Sequence, residues 1–233
     1  MDRKYKVIIL VLSVGDNGGI YDKFQKSQID TWDSIEVDNV HTFYFYGDGD
    51  SDRVSNNLIF TDIKENLFTG GFYVNSPLSA CSKTIRALEI IDNIEYDYIF
   101  RTNSSSYVDK NMLYDFLFDK PRTNYYSGFI GYENLDIYGS KVDMIKYASG
   151  SGFFLSKDLV SLLLSKKESI EDNRFIDDAA IGRILNQNNI YPSMVSRVEN
   201  DVNTEHFHYR LRTNDRYFDI NNMYKIFEIK NKK

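Results

Sequence analysis

Short apolar runs alternate with stretches of helical period along the first half of this chain. Val7-Ile8-Ile9-Leu10-Val11-Leu12 is unbroken and mostly β-branched, the pattern of a strand covered on both faces. Gly15-Asp16-Asn17-Gly18-Gly19 then reads as a turn, and Tyr21 to Ile35 has helical character that ends near Asp38-Asn39. A second strand is predicted over Thr42-Phe43-Tyr44-Phe45-Tyr46, closed by the polar turn Gly47 to Asp52, and a short third over Leu58-Ile59-Phe60. Leu78, Cys81, Ile85, Leu88 and Ile91 recur at helical spacing, with Pro77 just inside the start. Tyr98-Ile99-Phe100 is a fourth strand, leading into the polar run Arg101 to Ser106.

The alternation loosens afterwards. Met112 to Phe118 reads as a helix and Tyr125 to Tyr132 as a strand. Gly150-Ser151-Gly152 reads as a turn into strand Phe153-Phe154-Leu155, with a helix over Leu159 to Leu164 capped by Ser156. Asp177 and Asp178 open a further helix with Ile181, Ile184 and Leu185 on its inner face. Strands alternating with helices predict an α/β fold with a mostly parallel, doubly wound sheet. With no repeat, low-complexity tract or Pro-rich linker, one domain over 1–233 is expected: a nucleotide-type half to about residue 108 and an irregular half after it.

Composition sharpens this only in places. A chain of 233 residues can bury roughly 70% of its unfolded surface and needs no staple. Its 42% apolar and 27% charged residues exclude a wholly disordered chain, and a net charge of −6 argues against a nucleic-acid partner. A single cysteine, Cys81, excludes an internal disulfide framework and fits a reducing compartment. Arg3, Lys4 and Lys6 before the first apolar run give it the look of a secretory leader. The run is far short of the ~20 residues of a membrane span and lacks a small-residue cleavage site. A buried strand, no membrane span and a cytoplasmic location are therefore expected. The 18 Tyr and 16 Phe supply aromatic faces of the kind that stack on sugars and bases.

Four constellations could carry chemistry. Asp48, Asp50 and Asp52 alternate like the start of a calcium loop, but Arg53 stands where that loop needs Gly and Ile59 where it needs Glu. The turn is either simply solvated or, at the carboxyl end of a parallel strand, a ligand contact. Arg101-Thr102-Asn103-Ser104-Ser105 offers hydroxyls and an amide to a sugar or phosphate, or is an ordinary Ser/Asn turn. Asp177-Asp178 gain from a helix dipole, with one expected as N-cap; as paired carboxylates they also raise a neighbour's pKa toward general-base range. His206, His208, Arg210 and Arg212 alternate with apolar residues, so an extended strand would carry four potential cations on one face. That face suits a diphosphate, or is a solvated edge. No GxxxxGK[ST], GxGxxG after the first strand, or GxSxG motif is present, which removes the main support for kinase, hydride-transfer and serine-hydrolase readings.

Six segments in order resemble the fringe and β-1,3-galactosyltransferase-like glycosyltransferases. Gln28-Ile29-Asp30-Thr31-Trp32 resembles "IRxTW". Glu65-Asn66-Leu67 with Lys83-Thr84 is similar to "NLTxKT" with a longer spacer, and Tyr96 to Ser105 to "YDFxxKTDDD". Tyr147 to Ser156 resembles "YxSGxGYxLS", and Asp177 to Gly182 "EDVxxG"; a late histidine follows. The resemblance spans roughly residues 5 to 212 and implies a GT-A-type fold with inverting transfer of a sugar from a nucleotide diphosphate, usually UDP, to a glycan hydroxyl. It implies Asp178 as base with Asp177 as neighbour or substitute, and places Ser13 and the Asp48 loop near the donor's base and ribose. The family's acidic metal-binding triplet is replaced by Asn103-Ser104-Ser105, so a divalent metal is expected to be dispensable. The counter-charge for the leaving diphosphate would come from His206, His208, Arg210 and Arg212, aided by Lys83 or Arg101. A missing membrane anchor departs from the family's Golgi enzymes and suggests a bacterial or viral setting. A catalytically inactive domain that binds a glycan or nucleotide sugar is the alternative, and a scaffold that keeps only the fold is a third reading.

Overall fold

A computed structural model describes residues 5–64, 79–137, 140–171 and 176–232. The elements run β1 (Val7–Leu12), α1 (Ile20–Asp30), a 3-10 turn (Trp32–Ser34), β2 (Val40–Gly47), β3 (Arg53–Ser55), β4 (Leu58–Thr61), α2 (Ser79–Ile91), β5 (Tyr98–Asn103) and β6 (Ser106–Val108). They continue with α3 (Lys110–Phe116), β7 (Tyr126–Ile137), β8 (Ser140–Ser156), α4 (Lys157–Ser165), α5 (Lys167–Glu171), α6 (Asp177–Gln187), β9 (Ser193–Met194), β10 (Val198–Glu199), β11 (His208–Arg210) and α7 (Arg216–Asn231). Eight strands form one sheet in the order β3-β4-β2-β1-β5-β8-β7-β9, and β10-β11-β6 form a second.

The parallel heart of the large sheet is β4-β2-β1-β5, as the alternation of strands and helices predicts. The β7–β8 hairpin extends it antiparallel from β5. Consecutive side chains of a strand point to opposite faces, and β1 feeds both. Val7, Ile9 and Val11 pack with Phe24, Trp32, Met223 and Ile226, whereas Ile8 and Leu10 pack with Ile85, Leu88, Ile181 and Leu185. Helices therefore cover both faces, and the sheet is doubly wound. No helix among the described residues is long and apolar enough to cross a membrane.

Several expectations are corrected. The helix from Tyr21 stops at Asp30 and the chain tightens into a 3-10 turn that buries Trp32. Gly150-Ser151-Gly152 is not a turn: β8 continues through it, with an irregularity in its pairing to β7 between Ala148 and Phe153, and a Cβ on Gly152 would strike the His208 ring and Phe100. Ser156 occupies the N-cap position of α4 without capping it; its hydroxyl accepts from the Tyr125 N–H at 2.9 Å and donates to Asp158. Neither Asp177 nor Asp178 is the N-cap of α6, which is Ile176, so both carboxylates stand in the first turn. After residue 108, β7 and β8 are longer than the strands predicted over Tyr125 to Tyr132 and Phe153 to Leu155, and α7 adds a helix that the sequence reading does not contain. Pro77, Leu78 and the Glu65-Asn66-Leu67 segment lie outside the described residues.

Candidate functional site

The carboxyl ends of β1, β2 and β5 converge on one edge of the large sheet, where open α/β sheets bind ligands. Helix α2 ties this edge together from behind. Its buried Lys83 donates from Nζ to the carbonyl of Ser13, just past β1, at 3.1 Å. The adjacent Thr84 donates from Oγ1 to Asp177 Oδ2 at 2.9 Å. Gly47 at the end of β2 has no room for a side chain, because a Cβ would run into the Ile63 carbonyl and Lys83 Cδ. Asp48 follows and pairs with Arg53, whose guanidinium lies 4.2 Å from the Phe60 ring centre. Asp52 is held 2.7 Å from Arg86 of α2. Two of the three acids in this turn are thus tied to arginines.

Asp177 and Asp178 come together with Arg101 beneath the edge. Arg101 leaves β5 on the side of Ile99, is 2% exposed, and forms an ion pair with Asp177 through Nη2 while Nη1 donates to the Gly150 carbonyl. Asp178 is also buried; its Oδ2 accepts from the Gly150 N–H at 2.6 Å and its Oδ1 from the Ala179 N–H at 2.9 Å. Burial first, and then the charge of Asp177, raise the Asp178 carboxyl from its ordinary value to about 6, against the opposing pull of those N–H groups and Arg101. One carboxylate is locked in an ion pair, and the other exchanges its proton close to neutrality.

Asn103 closes β5 into a compact Asx turn. Its Oδ1 accepts from the Ser105 N–H at 3.2 Å, the Ser105 hydroxyl at 2.9 Å and the Ser106 hydroxyl at 3.3 Å. Gln28 of α1 pins the turn from below, donating to the carbonyls of Asn103 and Ser106. A hard divalent cation prefers carboxylate oxygens. This donor set has none, its amide oxygen is already engaged, and no cluster of three His, Cys, Asp or Glu occurs among the described residues. The residues at this position do not fit a divalent metal.

The four-cation strand is not one face. Only His208–Arg210 is strand, in the centre of the small sheet, where β6 and β10 bury His208 and Tyr209. Burial, with the nearby Arg197 charge, pushes His208 down to about 3, so its imidazole is neutral at physiological pH; Nε2 lies 3.3 Å from Ser106 Oγ. His206 is half-buried, takes the His208 N–H on Nδ1 and contacts Ser196 through Nε2. Burial lowers its pKa as well. Arg210 is paired with Glu199, and Arg212 is exposed, its N–H held by Asn200. A cavity of about 390 Å³ opens beside His206, lined also by Met112, Phe116, Met194 and Phe207.

Sequence reasoning missed Arg197, which lies over the Phe129 ring and donates to Ser151 Oγ. Its alternation with Glu199 across Val198 was the available signal, since residues two apart share a strand face. Gly150 and Ser151 therefore hold Asp178 and Arg197 from adjacent positions of β8. The glycine and serine of that segment carry the site.

The same architecture occurs in glycosyltransferases of known structure. A glycosyltransferase involved in the glycosylation of the major capsid of PBCV-1 superposes with a TM-score of 0.51 at 12% identity, over 94% of this chain and 99% of that one. The apo form of the glycosyltransferase GlyE from Streptococcus pneumoniae TIGR4 gives 0.50 at 10% identity, over 97% of this chain and 63% of GlyE, so this chain spans less than two thirds of that protein. No protein-family model and no curated protein matches the sequence. The similarity to the fringe-like group rests on the motifs, while the fold is that of GT-A-type glycosyltransferases.

Proposed function

We propose that the protein is a glycosyltransferase that moves a sugar from a nucleoside diphosphate carrier, UDP by the motif resemblance, to a glycan hydroxyl with inversion at the anomeric carbon. The observation that carries this reading is the buried acid pair at the start of α6. Arg101 and Thr84 hold Asp177, and Asp178 has its pKa near 6 at the ligand-binding edge of a GT-A-type sheet. A general base works best with a pKa near the working pH. Asp178 removes the proton from the acceptor hydroxyl as its oxygen attacks the anomeric carbon. The bond from that carbon to the phosphate oxygen breaks, and the nucleoside diphosphate leaves with the electron pair. Ser13, the Asp48 turn and Asn103 border the donor side, where hydroxyl and amide groups can bind a ribose or a sugar.

The donor set at Asn103-Ser104-Ser105 lacks carboxylates, so the reaction runs without a divalent metal and the departing charge is met by arginine. Asp178→Asn should lower turnover by ~10² or more while donor binding persists. The check is a panel of nucleotide sugars assayed for transfer and hydrolysis with and without EDTA. Transfer abolished by chelation and restored by Mn²⁺ would overturn the metal-free step, and full turnover by Asp178→Asn would overturn the base.

The loss of the acidic triplet favours a second reading, a domain that binds a glycan or nucleotide sugar without turning it over. Binding of a nucleotide sugar with no release of nucleotide over long incubation would select it.

A further inference from the structure

Arg197 and Arg210 reach the same carboxylate from two sides. Arg197 Nε pairs with Glu199 Oε1 at 2.5 Å, and Arg210 Nη1 lies 3.1 Å from Glu199 Oε2. The Arg197 side chain is 7% exposed, while that of Glu199 is 40% exposed. The cations are thus anchored and the anion between them is the more open member. Arg197 is fixed by stacking 4.2 Å from the Phe129 ring centre and by its bond to Ser151 Oγ. Arg210 is fixed by its strand register against Ser106, and the next residue, Leu211, donates to the Ser105 carbonyl at 2.8 Å. Two guanidinium charges face one carboxylate, which leaves local positive charge beside the Asn103–Ser106 turn. Burial and the Arg210 charge push Arg197 down from its ordinary pKa, against the pull of Glu199. A second anion entering here would relieve that strain on the charge.

We propose that Arg197 and Arg210 form a diphosphate-binding subsite whose resident occupant is the Glu199 carboxylate, displaced when a donor's phosphates enter. A carboxylate spanning two guanidinium groups presents two oxygens much as a phosphate does, and planar guanidinium forks accept either anion. Glu199 therefore keeps the arginines positioned while competing with ligand. This subsite rests on the transferase reading for its biological ligand, although the anion chemistry stands by itself.

Calorimetric titration of inorganic pyrophosphate and of UDP into the full chain tests it, with Glu199→Gln, Arg210→Gln and Arg197→Lys as variants. Glu199→Gln should bind pyrophosphate roughly tenfold more tightly, because the competing charge is gone while the side chain keeps its shape. Arg210→Gln should bind roughly tenfold more weakly, and Arg197→Lys, which loses the planar fork, should also weaken binding. Melting curves identify a variant that fails to fold; Arg210, partly exposed, keeps the test available if Arg197→Lys does not. Weaker or unchanged pyrophosphate binding by Glu199→Gln overturns the displaced-carboxylate subsite. UDP binding indifferent to both arginines overturns the subsite and leaves the transferase reading intact. The expected pyrophosphate pattern without binding or turnover of any nucleotide sugar supports the subsite and overturns the transferase. Failure of the wild-type chain to bind either probe overturns both.

Discussion

Asp177 and Asp178 are adjacent in sequence and have opposite electrostatic surroundings. Asp177 is paired directly with Arg101 and Thr84, whereas Asp178 is held by backbone N–H groups and feels the negative charge of Asp177 more strongly than the positive charge of Arg101. Turnover that depends on ionised Asp178 should fall as pH drops through about 6, seen as an acid limb in a kcat profile. The folded chain holds this proton up to about 6, but an unfolded chain releases it near 3.8. The folded state thus binds more protons between those values, and the contribution of Asp178 to stability declines as pH rises across that window. Urea unfolding at pH 4.5 and 7 should show a smaller change for Asp178→Asn than for the wild type. Arg101→Met should cost about 3–5 kcal/mol in the same measurement, because it strands the Asp177 carboxylate in the interior. A loss under about 1 kcal/mol would mean that Asp177 is not held as a buried anion.

At the scale of elements, the site depends on how closely α6 approaches β8. Gly182 makes that approach possible: a Cβ there would overlap the Tyr147 Cβ and fall 3.0 Å from its Cα, a backbone atom that cannot swing aside. Gly182→Ala should cost about 1–3 kcal/mol and lower turnover, since any displacement of α6 carries Asp177 and Asp178 with it. Unchanged denaturant midpoint and kcat would show that α6 tolerates the shift. The same dependence on packing explains what the sequence left illegible. The Asp177-Asp178 pair stands out in the chain, but nothing local says that Ile176 caps the helix. Likewise, the alternation from His206 to Arg212 suggests an exposed face, whereas pairing with β6 and β10 puts His208 in the interior and makes it neutral. Helix α7 is not legible in the sequence because Tyr217, Phe218 and Ile229 lie exposed, which blurs the apolar stripe formed by Ile220, Met223 and Ile226.

For the whole molecule, the doubly wound sheet brings residues far apart in the chain to one edge: Ser13, Lys83, Asn103, Ser151, Asp178 and Arg197. A ligand that binds only the folded chain there stabilises it globally. A nucleoside diphosphate at 100 times its Kd should add about 2.7 kcal/mol, read as a raised melting temperature, with the same rise in EDTA. A rise that vanishes on chelation would argue for a metal clamp at the diphosphate.

Sequence alone determined the strand–helix alternation, the parallel heart of the sheet and the identity of the acid pair, because apolar period and residue type are local properties. It also shows that the turn after β5 carries Asn103-Ser104-Ser105 and no carboxylate, since residue type is read directly. Tertiary structure decided which charges survive. Arg101 finds Asp177 across 76 positions of chain, His208 loses its charge to burial, and Arg197 becomes the partner of Glu199 and Ser151. Electrostatic character depends on desolvation and on neighbours brought near by folding, and neither is written in the spacing of residues.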